Sequence, residues 1–224
     1  MSAAAPPVRA VLLDFGGTLD ADGVAWKDRF RRLFSEEGAP IGEGFDRAFY
    51  DSDDALVGSI PRELSFTRTV ERLSGDVAGR LGRPETAERV ARRFLADARG
   101  CLDRSAELLA RLHGRYRLGI VSNFYGNLAA VCRETGLSPH VDAAIDSAVV
   151  GAEKPDRRIF EAALSAVGVE PSEALFVGDS LSRDMAGALA LGMPHVWIRA
   201  GEGRACCAED RVIASVSDLE GLLA

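Results

Sequence analysis

Hydrophobic positions along this chain follow two different rules. Residues 8–13 form a short apolar run with no helical period, closed by Asp-Phe-Gly-Gly-Thr, the pattern of a buried strand opening into a loop. Similar apolar pieces recur at 118–121, 143–145, 174–177, 195–198 and 211–214. Between them, residues 128–135, 157–167 and 184–191 repeat their apolar positions at the helical spacing. This alternation predicts an α/β fold: a Rossmann-like, mainly parallel sheet with helices on both faces. Sheets of that kind bind ligands beyond the carboxyl ends of their strands, near a topological switch point.

The stretch from Asp20 to about Asp103 differs. It has almost no strand-like run, is rich in Arg, Glu, Leu, Phe and Ala, and breaks at 38–44, 59–61 and 82–84 into about four helical pieces. It reads as an all-helical insert after the first strand. The expected division is a discontinuous core of residues 1–20 and 103–224 carrying a helical cap domain of residues 21–102. No repeat or low-complexity segment interrupts this plan beyond the opening Met-Ser-Ala-Ala-Ala-Pro-Pro, which reads as a short loose tail without the basic start of a secretion signal.

Composition narrows the function. With 47% hydrophobic and 27% charged residues, and no apolar run near the roughly 20 residues that a membrane helix needs, the chain is expected to be soluble and without a membrane partner. A formal charge of −7 disfavours nucleic acid and favours a small-molecule ligand. Cys101, Cys132, Cys206 and Cys207 show neither metal-ligand spacing nor a disulfide framework, so a reducing cytoplasm is the expected location. Of 27 basic residues only Lys27 and Lys154 are lysines, which makes a lysine here less expected as surface filler.

Polar clusters stand at four strand ends. In Asp14-Phe15-Gly16-Gly17-Thr18 a carboxylate follows a buried strand, and two glycines let the backbone approach a ligand; a plain turn aspartate reads the same way. In Ser122-Asn123-Phe124 a hydroxyl and an amide precede a helix and suit either an anion or a helix cap. Lys154 is biased towards an extended backbone by Pro155. Asp179 and Asp184 place one acid at a strand end and another in the opening turn of a helix, where they suit a hard cation, a cap or a helix dipole. The acid, hydroxyl, lysine and acid pair, in this order and all after strands, make the set that phosphoryl transfer needs.

With these four loops the chain resembles the haloacid-dehalogenase superfamily, and the helical insert is similar to the cap of the subfamily that includes dehalogenases, phosphoglycolate phosphatases and phosphonatases. The resemblance implies that Asp14 is a nucleophile forming an aspartyl phosphate. It implies a phosphate and substrate site made by Phe15, Gly16, Ser122, Asn123 and Lys154, with Ser122 and Lys154 acting in catalysis. It further implies Mg²⁺ held by Asp14, the Gly16 carbonyl and Asp179, with Asp184 steadying its waters or Lys154. The substrate implied is a small phosphorylated metabolite.

The departure is Gly16 itself, because phosphatases of the superfamily usually carry there a second aspartate that protonates the leaving group and later activates water. Such a group contributes about 10²–10⁴ in rate, so its absence slows turnover without abolishing it and favours good leaving groups such as acyl phosphates. Asp20, Asp22 and Lys27 follow the loop and are candidates to replace it. Three other functions stay open: a metal-free dehalogenase, a phosphonatase using Lys27 as a Schiff base, and a binding protein that keeps the pocket without turnover. Which of Trp26, Arg29, Phe30, Arg62 and Phe66 face the site, and whether the chain is a monomer or a homodimer, are not readable from sequence. His113, His140 and His195 follow no catalytic spacing and read as structural.

Overall fold

The computed structural model describes residues 7–39, 41–200 and 211–223, so Cys206, Cys207 and residues 1–6 of the opening tail lie outside the described residues. Strands β1 (Ala10–Leu13), β2 (Arg117–Ser122), β3 (Ala143–Asp146), β4 (Ala174–Gly178), β5 (His195–Ile198) and β6 (Arg211–Ile213) form one sheet in the order β3-β2-β1-β4-β5-β6. Every pairing is parallel. The expected strands are all present, shifted at their ends by a residue or two.

All four residues of β1 are fully buried because each face of the sheet is covered, which is why the run shows no alternation in sequence. Val11 and Leu13 join a core with Leu118, Ile120, Val177 and Leu128 on one face. Ala10 and Leu12 join Phe160, Ala163 and Phe176 on the other. The covering helices include α5 (Leu128–Glu134) on the first face, and α7 (Arg157–Val167) and α8 (Ala186–Ala190) on the second. The short helices α6 (Ser147–Val150) and α9 (Leu219–Leu222) complete the core.

After β1 the chain forms α1 (Trp26–Glu36), α2 (Gly44–Leu56), α3 (Phe66–Arg80) and α4 (Ala87–Leu112), the four pieces that the sequence breaks predict. Each helix buries one apolar stripe: Phe30, Leu33 and Phe34 on α1, Phe45 and Phe49 on α2, Val70, Leu73 and Val77 on α3, Val90 and Phe94 on α4. These stripes are continuous with the first face of the sheet core through Phe15, Trp26, Phe66 and Phe124. Helix α4 passes unbroken through the expected boundary at 102/103, and its last turns bury Leu108, Leu109 and Leu112 in the core. Among the described residues no helix is long and apolar enough to cross a membrane.

Leu13 pairs with both Ile120 and Val177, and the Asp14 N–H still donates to the Val177 carbonyl at 2.9 Å. Asp14 therefore emerges between the ends of β2 and β4, at the point where strand order reverses from one direction to the other.

Candidate active site

Strand geometry gathers the four polar loops at one end of the sheet. Ser122 ends β2 beside Asp14, and its hydroxyl donates to Asp14 Oδ1 at 2.8 Å. Lys154 Nζ lies 2.7 Å from Asp14 Oδ1 and 2.7 Å from Asp184 Oδ1, with its side chain only 2% exposed. Burial opposes the charge on Lys154, but the Asp14 and Asp184 carboxylates outweigh it and hold the ammonium above its usual range. Asn123 ties the second loop to the third by a reciprocal pair: its Nδ2–H donates to the Lys154 carbonyl at 3.2 Å, and the Lys154 N–H donates to its Oδ1 at 2.7 Å. Behind them the buried Asp146 accepts N–H bonds from Gly126, Leu128 and Ala148, which satisfies the turn that carries Asn123 into α5.

Asp14, Asp179 and Asp184 each turn a carboxylate oxygen to within 4.8 Å of the others. Like charges so close, in a buried place, raise one another: burial and then Asp14 and Asp184 push the Asp179 carboxyl up to about 8. Burial likewise raises Asp184 against the pull of Lys154. Asp179 Oδ1 is buried with no hydrogen-bond partner. The Asp184 carboxylate is anchored by its own loop, where Ser180 N–H donates to Asp184 Oδ2 at 2.9 Å. Three oxygen donors, one of them unpartnered, fit a hard divalent cation. Gly17 preserves this cradle: its φ is +90°, and a side chain there would fall on the Asp179 carboxylate.

Gly16 has a different reason. Its φ of −75° and ψ of 117° suit any residue, but a Cβ there would lie 3.3 Å from Trp26 Nε1 and 3.5 Å from Trp26 Cδ1. The indole of α1 thus crowds the Cβ of any residue that replaced this glycine. Its Nε1–H donates to Asp20 Oδ2 at 2.8 Å, the same oxygen that Arg29 holds at 2.6 Å, while Asp20 Oδ1 accepts from the Gly17 N–H at 2.7 Å. Asp20 is fully buried, and burial raises its carboxyl despite these partners. It joins the first loop to α1 and has no path to a ligand. Asp22 is likewise engaged, accepting from Arg104 at 2.7 Å and from the Val216 N–H at 3.0 Å.

A cavity of about 300 Å³ opens above these loops. Asp14, Gly16, Ser122, Asn123 and Lys154 line it from below, and Trp26, Lys27, Asp28, Phe49, Tyr50 and Asp53 from the helical cap. Of the cap residues in question, Trp26 faces the cavity, whereas Arg29, Phe30 and Phe66 are buried behind it and Arg62 is exposed elsewhere. The Phe15 side chain is fully buried edge-on against Phe66 and Phe124, with ring centroids 5.7 Å apart in both pairs, and does not line the cavity. None of the three histidines lines it. Tyr125, Arg183 and Asp53 do line it as well; Arg183 stands between Asp179 and Asp184 in the fourth cluster without having been singled out, and Tyr125 and Asp53 sit outside the four clusters. A larger groove of about 760 Å³ along α3 and α4, lined by Glu71, Ala91, Leu95 and Arg99, contains no strand-end residue.

Residues 8–192 match the family model of the haloacid dehalogenase-like hydrolases. The chain belongs to this family. It is a hydrolase. The phosphoserine phosphatase of Thermus thermophilus is 32% identical over 212 residues, covering 88% of this chain and 83% of that protein. The haloacid dehalogenase-like hydrolase domain-containing protein 3 of Bos taurus is 42% identical over 85 residues, which is 38% of this chain but only 34% of that protein. Shorter matches reach a pyrimidine 5'-nucleotidase of Escherichia coli and glyceraldehyde 3-phosphate phosphatases of Methanopyrus kandleri and Pyrococcus abyssi. Among solved structures, the magnesium-bound HAD-hydrolase YfnB of Bacillus subtilis superposes with a TM-score of 0.62 at 20% identity, covering 97% of this chain and 99% of that one. Haloacid dehalogenases superpose comparably, so this likeness defines the fold of the hydrolase and no more.

Proposed function

We propose that this hydrolase is a Mg²⁺-dependent phosphatase of small phosphorylated metabolites, working through an aspartyl phosphate on Asp14. The observation that carries the reading is the acid cluster: Asp14, Asp179 and Asp184 converge beside Lys154, and Asp179 keeps a buried oxygen without a partner. Attack on carbon needs no cation, so a metal-free dehalogenase has no use for that oxygen. The named relatives that are phosphatases support the same choice.

Asp14, the Gly16 carbonyl and Asp179 would hold the cation, with Asp184 behind them. When bound, Mg²⁺ supplies positive charge that offsets the repulsion between a carboxylate and a phosphate. The remaining work falls to the chain itself. Asp14 attacks phosphorus, and the phosphoryl group passes from the leaving oxygen to its carboxylate. Lys154 neutralises nucleophile and phosphoryl oxygens together, while Ser122 turns its hydroxyl from Asp14 towards the transferring group and the Asn123 N–H joins it. In this reading residues 21–102 serve as a cap domain over a core of 1–20 and 103–224, enclosing the leaving group.

A phosphonatase-like Schiff base on Lys27 fits less well. Lys27 lines the cavity, but Tyr50 and then Asp46, which lies 3.5 Å from its Nζ, hold its ammonium above the usual range, whereas an imine-forming lysine needs a free neutral amine. The test is phosphate release from acyl, sugar and aryl phosphates, with and without Mg²⁺, by the parent and by Asp14→Asn. Turnover that requires both the metal and Asp14 is expected. Turnover in Asp14→Asn equal to the parent's would rule out the covalent mechanism.

A further inference from the structure

Gly16 brings no acid to the first loop, so a proton for the leaving group has to come from another wall of the same cavity. Beyond Asp14 and Lys154, the ionisable side chains lining it are Lys27, Asp28, Tyr50, Asp53, Tyr125 and Arg183. Arg183 stays charged at any working pH. Lys27 is held by Asp46, with its Nζ over the Tyr50 ring at 5.1 Å, and Asp28 and Tyr50 are exposed at the rim. The Tyr125 hydroxyl is committed, donating to Asp53 Oδ1 at 2.5 Å.

Asp53 is left, and its setting is unlike that of a surface acid. It stands on α2 next to the buried Ser52, with Oδ1 fixed by Tyr125, a residue of the loop that begins at Ser122. Among the described residues no group is hydrogen-bonded to its other oxygen. We propose that Asp53 is the general acid and base of this hydrolase, replacing from the cap the aspartate that Gly16 lacks. This rests on the phosphatase reading above.

The charges around Asp53 come from four elements. Asp54 lies beside it on α2, Glu153 precedes Lys154, Arg183 follows β4, and Tyr125 follows β2. Burial first, then Asp54 and Glu153, keep its carboxyl above the ordinary range against the Tyr125 hydrogen bond and the Arg183 charge. In the first step, Asp14 bonds to phosphorus, the bond from phosphorus to the leaving oxygen breaks, and that oxygen takes the Asp53 proton. In the second, the Asp53 carboxylate takes a proton from water as the water oxygen bonds to phosphorus. The bond from phosphorus to Asp14 breaks, which restores both carboxyl groups.

The experiment compares 4-nitrophenyl phosphate, whose leaving group departs without help, with glycerol 2-phosphate, whose alkoxide does not, at saturating Mg²⁺. Asp53→Asn keeps an oxygen for the Tyr125 hydroxyl and is expected to fold with the parent's Tm. In kcat/KM, which reports the phosphorylation step alone, it should lose about 10²-fold or more on the alkyl phosphate but less than about tenfold on the aryl phosphate. The parent's alkyl activity should fall on the alkaline side as Asp53 ionises, and this limb should vanish in Asp53→Asn. In Tyr125→Phe the limb should move to higher pH, because the lost hydrogen bond favoured the carboxylate. Asp53→Glu should restore part of the alkyl rate. Equal losses on both substrates, no loss on either, or an unchanged alkaline limb would each overturn the proposal while Asp14-dependent aryl turnover stands. Failure of the parent to hydrolyse either phosphate in an Asp14-dependent way would remove the phosphatase reading and this proposal with it.

Discussion

Replacing Gly16 by aspartate ought to be the obvious repair of the first loop, and the structure says it will fail until Trp26 yields. The backbone at Gly16 already accepts a side chain, so no conformational strain is at issue. The obstacle is a Cβ contact of 3.3 Å with Trp26 Nε1, which the indole relieves only by shifting a few tenths of an ångström. That ring is pinned by its bond to Asp20 and wedged among Phe94, Phe66, Phe124 and Phe30, with centroids 5.1 to 6.4 Å away. Overpacking of this kind costs about 1–3 kcal/mol. For a chain of this length that is roughly 2–12 °C in Tm. With its carboxyl displaced from the leaving oxygen, Gly16→Asp alone should leave kcat on an alkyl phosphate close to the parent's.

Trp26→Phe keeps an aromatic ring but removes the donor and part of the volume, at a cost of about 1–3 kcal/mol, with Asp20 still held by Arg29. In that background Gly16→Asp has room, and the alkyl rate should rise by about tenfold or more, the low end of what an acid contributes when Asp53 already supplies one. The assay is a double-mutant cycle in Tm and in kcat on glycerol 2-phosphate, with an expected coupling of about 1.4 kcal/mol or more in the activation barrier. A Gly16→Asp single variant that gains about a hundredfold with an unchanged Tm would refute the role given to Trp26.

Two further expectations follow from buried charge. Arg29→Met leaves Asp20 fully buried without its cation and should destabilise the fold by about 3–5 kcal/mol in denaturant unfolding, with Asp20→Asn in the same chain recovering part of the loss. Without metal, the Asp179 carboxyl at about 8 keeps a proton in the folded state that the unfolded chain releases above about pH 4. The folded state therefore binds more protons between these values, and stability in EDTA should fall as pH rises from about 4 to 8. Saturating Mg²⁺ should flatten that slope in thermal melts, and a slope that ignores the metal would place the cation elsewhere.

Much of the molecule was readable from one sequence because the relevant physics is local. Six apolar runs and their intervening helical periods depend on burial at fixed spacings, and all six became strands of one parallel sheet. The helix breaks in the insert depend on glycine and proline and appear where expected, although α4 runs on through Gly100 and crosses the expected boundary. Asp14, Ser122 and Asp179 stand at or just after strand ends, which parallel strands bring together, whereas Lys154 reaches the same place from the loop after α6 and Asp184 from the helical turn after β4.

What surrounds those five residues was decided only by tertiary packing. Trp26 against Gly16, Asp20 sealed under Arg29, and Asp53 reaching Tyr125 join residues whose separation in sequence carries no period and no motif. Residues 21–102 read as helices from their own pattern. Which of their side chains meet the core depends on how those helices dock, through the aromatic contacts of Phe15, Trp26, Phe66 and Phe124. The sequence by itself determined the strands, the helices and the chemistry at the strand ends, since those follow from local periodicity. The shape of the cavity and the groups on its far wall followed from long-range packing, which no local pattern encodes.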